Sequence, residues 1–212
     1  MNPRLAQFFS VCCHPLLMPT YLFGLLMYAT PVRLNVDTYS VKAQASILLL
    51  LFIGTFMVPA MLIYYLYRTG HLTDMTMPNR TDRKWPMLLT GLIYTGVTYL
   101  FAFRMNLLSD TSPQLAVVLA AITLSILLVA IISLYWKISA HAVGIGGVLG
   151  VVLAIMAKYG DTDLFVPLVC LLAISGLVTT ARLQLNAHTL GQVLAGWGLG
   201  VLVSSLAVFG LM

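Results

Sequence analysis

Seven stretches of this chain are each close to the length of a bilayer's hydrocarbon core and nearly free of charge, which leaves few folds open. They run Leu5–Val32, Ala43–Tyr67, Trp85–Phe103, Thr111–Trp136, Ile138–Ala157, Leu164–Ala181 and Leu183–Met212. A spanning helix needs about 20 mostly apolar residues. In water-free hydrocarbon the backbone must satisfy its own N–H and C=O groups, so such runs are helices. The connectors are short (PVRLNVDTYSVK, RTGHLTDMTMPNRTDRK, RMNLLSD, KYGDTD), and two breaks are marked only by Lys137 and Arg182. No soluble domain fits in the remainder. The expected fold is an all-α integral membrane protein, a six- or seven-span helical bundle forming one polytopic domain over residues 1–212. The count turns on the first run, where Pro15 and Pro19 in HPLLMP kink or break the helix and leave either a span or a re-entrant segment.

Composition agrees. Only 8% of residues are charged, against about 25% in soluble domains, and mean hydropathy is +0.98. The first run holds 28 residues without Lys, Arg or Asp. That exceeds a signal-peptide core of about 7–15 residues, so it reads as a retained membrane segment. The net charge of +5 favours anionic lipid or a phosphorylated substrate. The basic residues are not clustered on a soluble face, which argues against nucleic acid. Three cysteines, two of them adjacent (Cys12 and Cys13), make neither a disulfide framework nor a metal set. Small residues at spacing four (Ala142, Gly146, Gly150; Gly196, Gly200) read as close helix packing, and GIGG reads as packing rather than as a phosphate loop.

Parity gathers the unusual polar residues. The connectors after runs two, four and six must share one side, and they carry NRTDRKWP, KISAH and ARLQLNAH. Arg80, Arg83, Lys84, Lys137, His141, Arg182 and His188 therefore converge at one membrane face. Three helices begin there, with Pro86 expected in the first turn of run three and Ser139 and Asn186 expected as N-caps of runs five and seven. Helix starts offer free N–H groups and roughly half a positive charge each. With several cations and two histidines they describe an anion site, most naturally for phosphate. Arg33, Lys42, Arg68 and Lys158 read instead as headgroup anchors.

No acidic cluster suits a metal, and no paired carboxylates are present. His188 and His141 are the available titratable pair: one can attack phosphorus while the other protonates the leaving oxygen. Gln192, one turn after His188, can accept from a ring nitrogen and hold the tautomer. His14, beside Pro15, is expected to bond a carbonyl freed by the proline. The functional alternative is that it lines the substrate entrance.

These residues resemble the type-2 phosphatidic acid phosphatase superfamily, related to the vanadium haloperoxidases. That family's third motif, Ser-Arg, five residues, His, three residues, Asp, is similar to Ala181, Arg182, five residues, His188, three residues, Gln192. Its Pro-Ser-Gly-His motif is similar to Ile138, Ser139, Ala140, His141, and its first motif has a loose counterpart in Arg80, Arg83 and Pro86. The core of the resemblance covers residues 79–212. It implies a membrane lipid phosphate phosphatase, with His188 as the nucleophile forming a phosphohistidine and His141 as the general acid. Arg80, Arg83, Lys84, Lys137, Ser139 and Arg182 would hold the phosphate, with no metal or organic cofactor. The substrate would be a lipid or isoprenoid phosphate or diphosphate. The departures are Gln192 in place of Asp, the missing Pro and Gly of the second motif, and two spans between first and second motifs. The alternatives are a non-catalytic phospholipid-binding or lipid-transport protein and a small-solute transporter, the latter weakened by the absence of a visible internal repeat. The expected location is a bacterial inner membrane with the site face periplasmic. The candidate side holds seven Lys/Arg against four, but five of the seven are candidate ligands rather than topology signals.

Overall fold

The structure is a computed structural model. It describes residues 1–75, 77 and 80–212, and the side chains of these except residues 80, 81, 106 and 107. The chain is an all-helical membrane bundle, and among the described residues six helices are long and apolar enough to cross a bilayer. The first run does not form one rod. It breaks into α1 (Pro3–Cys12) and α2 (Met18–Ala29). At 1.5 Å per residue these measure about 15 and 18 Å, each short of the roughly 30 Å hydrocarbon core.

The first span combines α3 (Val41–Phe52), a wider π-type turn (Ile53–Met57) and α4 (Val58–Arg68). Pro59 has no N–H to give, and Thr55 O instead accepts the hydroxyl of the fully buried Tyr94 at 2.7 Å. The second span is α5 (Arg80–Tyr99), which closes in another π turn, Leu100–Arg104. A short α6 (Asn106–Thr111) leads to the remaining spans: α7 (Pro113–Ser133), α8 (Ala140–Tyr159), α9 (Phe165–Gln184) and α10 (Leu190–Leu211).

α8 and α10 form the tightest pair, because glycine rows let the backbones meet. A Cβ on Gly146 would sit 2.5 Å from Trp197 O, on Gly150 2.6 Å from Val201 O, and on Gly196 2.7 Å from Ser139 O. The rows of small residues therefore pack helices, as their spacing predicts.

Connector parity is visible as two sets of contacts. At one end Arg33 pairs with Asp161 at 3.0 Å, Ser112 Oγ donates to Asn35 O at 2.8 Å, and Lys158 Nζ donates to Val208 O near the end of α10. At the other end Arg83 Nε donates to Met77 O at 3.0 Å, Arg83 Nη1 to Ile138 O at 3.4 Å, and Ser139 N to Gln192 O at 3.4 Å. α2 runs beside α8 between these ends: Met18 and Pro15 lie against Gly144, and Arg33 lies over Tyr159.

Two helix starts differ from expectation. α5 begins at Arg80, so Pro86 sits inside it rather than in its first turn. The N-cap of α10 is Thr189 rather than Asn186; Thr189 and Gln192 form a reciprocal capping box, while Asn186 adopts a left-handed conformation in the connector. His188 thus precedes the helix, and it meets Gln192 across the cap rather than along a helix face.

Candidate functional site

A cavity of about 830 Å³ opens at the second of these ends. Arg83, Lys137, His141, Arg182 and His188 line it, joined by His14 from the α1–α2 break. No acidic residue is among the described residues that line it. Deeper walls are mostly apolar, including Leu22, Phe56, Ile122 and Val148. The cavity reaches Ser204, about 20 Å along α10 from its start.

His188 is held by the cap of α10. Gln192 Oε1 lies 3.1 Å from His188 Nδ1 and accepts the Thr189 N–H at 3.2 Å. The second bond fixes which end of the amide is oxygen, so Nδ1 must carry the proton and Nε2 keeps its lone pair. Burial, and then the charges of Arg83, Arg182 and Lys137, push the His188 pKa down to about 4, against the opposing hydrogen bond that Nδ1–H donates to Gln192 Oε1. The ring is therefore neutral at pH 7. Because its folded value lies below the ordinary 6.5, the unfolded chain takes up the proton first. Stability contributed by neutral His188 is present above about pH 6.5 and is lost as pH falls toward 4. Lys137 is likewise held below its ordinary value, by burial first and then by Arg83 and Arg182. Each cation disfavours its neighbours' charge, and the Arg33–Asp161 ion pair lies at the far end. An anion in the cavity would relieve that repulsion.

The remaining candidates divide. Arg83 is buried and spends two N–H groups on the carbonyls of Met77 and Ile138, tying two connectors together while lining the cavity. Arg182 Nη1 donates to Ser10 Oγ at 3.2 Å, and its Nε has no partner among the described residues. His141 Nε2 lies 3.0 Å from Ser10 O. A carbonyl only accepts, so Nε2 carries the proton and Nδ1 is left toward a substrate. Ser139 is fully buried and caps α8 through Ala142 N at 3.4 Å, off the cavity wall. Lys84 also stands off the wall, with its ammonium 5.6 Å from the exposed Trp85 ring, an arrangement suited to headgroup anchoring. The side chain of Arg80 falls outside the described residues.

His14 also departs from expectation. Among the described residues it bonds no freed carbonyl; its Nδ1 accepts the Leu16 N–H at 3.3 Å. Its ring stands edge-on to His141 with centroids 5.6 Å apart, on the cavity wall. Ser10 is a site residue that sequence reasoning missed, since a lone serine in an apolar run carries no signal of a partner 172 positions away. No group of three His, Cys or Asp side chains suited to a metal occurs among the described residues.

Fold and site together define an all-helical membrane protein with a cationic, histidine-bearing cavity at one end of its bundle. Comparison with known protein families, curated proteins and solved structures finds no match to this chain.

Proposed function

We propose that this protein hydrolyses the phosphate of a membrane lipid or isoprenoid carrier. One observation carries the reading: a single cavity combines a cationic end with no lining carboxylate among the described residues, an apolar remainder, and a neutral histidine fixed as its Nδ1–H tautomer. The headgroup phosphate meets Arg182, Arg83 and Lys137 while the tail occupies the apolar part. The Nε2 lone pair of His188 attacks phosphorus, and the P–O bond to the lipid breaks. His141 Nδ1 takes up the proton that the bound phosphate monoanion brings and gives it to the leaving oxygen. Water then attacks the phosphohistidine, its proton passes to His141, and phosphate leaves. The resemblance to the type-2 phosphatidic acid phosphatases supports the same roles. We infer that the cavity end faces the periplasmic side of a bacterial inner membrane: with the candidate ligands Arg80, Arg83, Lys137 and Arg182 set aside, three Lys/Arg remain on that side against four on the other.

A second reading, phosphate-lipid binding without turnover, is favoured by one observation. The partners of both histidines are uncharged oxygens, Gln192 Oε1 and Ser10 O, so no anion stabilises a developing imidazolium. Purified protein screened for phosphate release from phosphatidate, phosphatidylglycerophosphate and undecaprenyl diphosphate, with chelator present, separates the two. Release from none of them defeats the hydrolase reading. In an active preparation Arg182→Lys keeps the charge but loses the planar fork. Loss of a charge-assisted bond of about 1.5–3 kcal/mol lowers kcat/KM roughly 10- to 150-fold, with an unchanged melting curve. Unaltered kinetics would return Arg182 to headgroup anchoring.

A further inference from the structure

We propose that Ser10 is a positioning residue of this site, its hydroxyl holding Arg182 and its carbonyl holding His141. The carbonyl is available because α1 ends. In a continuing helix Ser10 O would accept the N–H of residue 14, but His14 N–H turns back to Val11 O at 3.2 Å, and Pro15 has no N–H. The neighbouring carbonyls at this end find partners within the first run: Phe9 O accepts from Cys13 N, Val11 O from His14 N, and Cys12 O from the Tyr21 hydroxyl at 3.2 Å. Only Ser10 O is satisfied from outside the first run among these, by His141 Nε2 at 3.0 Å. The same residue's Oγ accepts from Arg182 Nη1 at 3.2 Å. A break that removes a membrane helix thereby supplies one buried residue that fixes two cavity side chains from different spans, α8 and α9.

Two consequences follow from the chemistry. The Ser10 carbonyl sets the His141 tautomer, leaving Nδ1 as the nitrogen that can face a ligand. The Ser10 hydroxyl anchors one end of the guanidinium, so the planar group of Arg182 presents its other N–H groups in a fixed orientation, at lower entropic cost to an incoming anion. α1 packs along α9 and so delivers Ser10 to the end of that helix where Arg182 sits. Although α1 and α2 lie outside residues 79–212, they belong to the functional unit.

The use of turnover as a readout rests on the hydrolase reading; phosphate binding does not. The test uses the full chain with Ser10→Ala, the near-isosteric Ser10→Cys, and Ser10→Thr, which keeps the hydroxyl. Inorganic phosphate binding is measured by equilibrium dialysis, and KM and kcat on the lipid phosphate that the wild type hydrolyses. Loss of the Ser10 hydroxyl's hydrogen bond, which acts on phosphate only through Arg182, should raise the phosphate Kd and the KM about five- to tenfold in Ser10→Ala and Ser10→Cys. Turnover should change little, and Ser10→Thr should restore wild-type values. On an Arg182→Ala background the Ser10 changes should add nothing. Wild-type binding in both Ser10→Ala and Ser10→Cys overturns the proposal, as does a Ser10→Thr variant as weak as they are, or full additivity with Arg182→Ala. A wild type that binds phosphate but releases none defeats the hydrolase reading while the Kd series still judges Ser10. A wild type that does neither defeats both.

Discussion

His188→Ala is expected to abolish turnover, a loss on the order of 10⁴-fold or more as for other covalent nucleophiles, together with any acid-labile phosphoprotein trapped from the wild type. The geometry behind this is the tautomer: Gln192 Oε1 accepts a hydrogen bond from Nδ1–H, which leaves the Nε2 lone pair free for the attack proposed above. The same geometry selects a gain-of-function partner. Because Oε1 also accepts the Thr189 N–H, Gln192→Glu preserves chain length and both bonds while placing an anion beside the ring. That anion stabilises the positive charge developing on His188, so kcat should rise. It should also raise the His188 pKa from its depressed value near 4. Activity depends on the neutral ring, so the acidic limb of the pH profile should move to higher pH in Gln192→Glu than in wild type. Residual turnover in His188→Ala, or an unmoved acidic limb in an active Gln192→Glu variant, removes His188 from the nucleophile's role. Kinetics should be compared at saturating substrate, because the new charge also repels a bound phosphate.

Much of this arrangement is legible from the chain because bilayers impose simple rules. Run length fixes the helices, and connector parity alone brings Arg83, Lys137, His141, Arg182 and His188 to one end of the bundle, where they line one cavity. Glycine spacing foretells the α8–α10 contact. What parity cannot supply is depth and direction. Lys84 and Lys137 share a face, yet only Lys137 turns into the cavity; Lys84 lies at a helix position facing Trp85. Helix starts were misplaced where two cap signals compete. Thr189 with Gln192 is a complete capping box that wins over Asn186, and the polar residues preceding Pro86 extend α5 by more than a turn. Ser10 is invisible for a different reason. Its role arises from a backbone carbonyl freed by a helix break, a property of the fold and not of the serine side chain alone. The carbonyl freed at the break of the first run is met by His141, reached across the bundle, rather than by the adjacent His14 as expected.

The largest structural effect is expected at Gly200, which touches no ligand. A Cβ there would lie 2.3 Å from Val143 O and 2.5 Å from Gly147 N, both backbone atoms of α8 that cannot rotate away. Gly200→Val must therefore push α10 from α8, forfeiting the glycine-row contact that stands in for a hydrophobic driving force between helices in lipid. The cost should exceed the roughly 1–3 kcal/mol of ordinary overpacking, where side chains can yield. The consequence for the cavity is specific. α8 carries His141 just past its cap, α10 begins two residues after His188, and the two starts are joined by Ser139 N to Gln192 O at 3.4 Å. Separation of the helices thus moves one histidine relative to the other. Melting of purified protein should show a large fall for Gly200→Val, a smaller one for Gly200→Ala, and almost none for Gly198→Ala, whose added Cβ meets nothing within 4 Å. Phosphate binding should fall in the same order. Equal stability of Gly200→Val and Gly198→Ala would mean that α8 and α10 do not meet along these rows, and the site built on their two starts would fall with that contact.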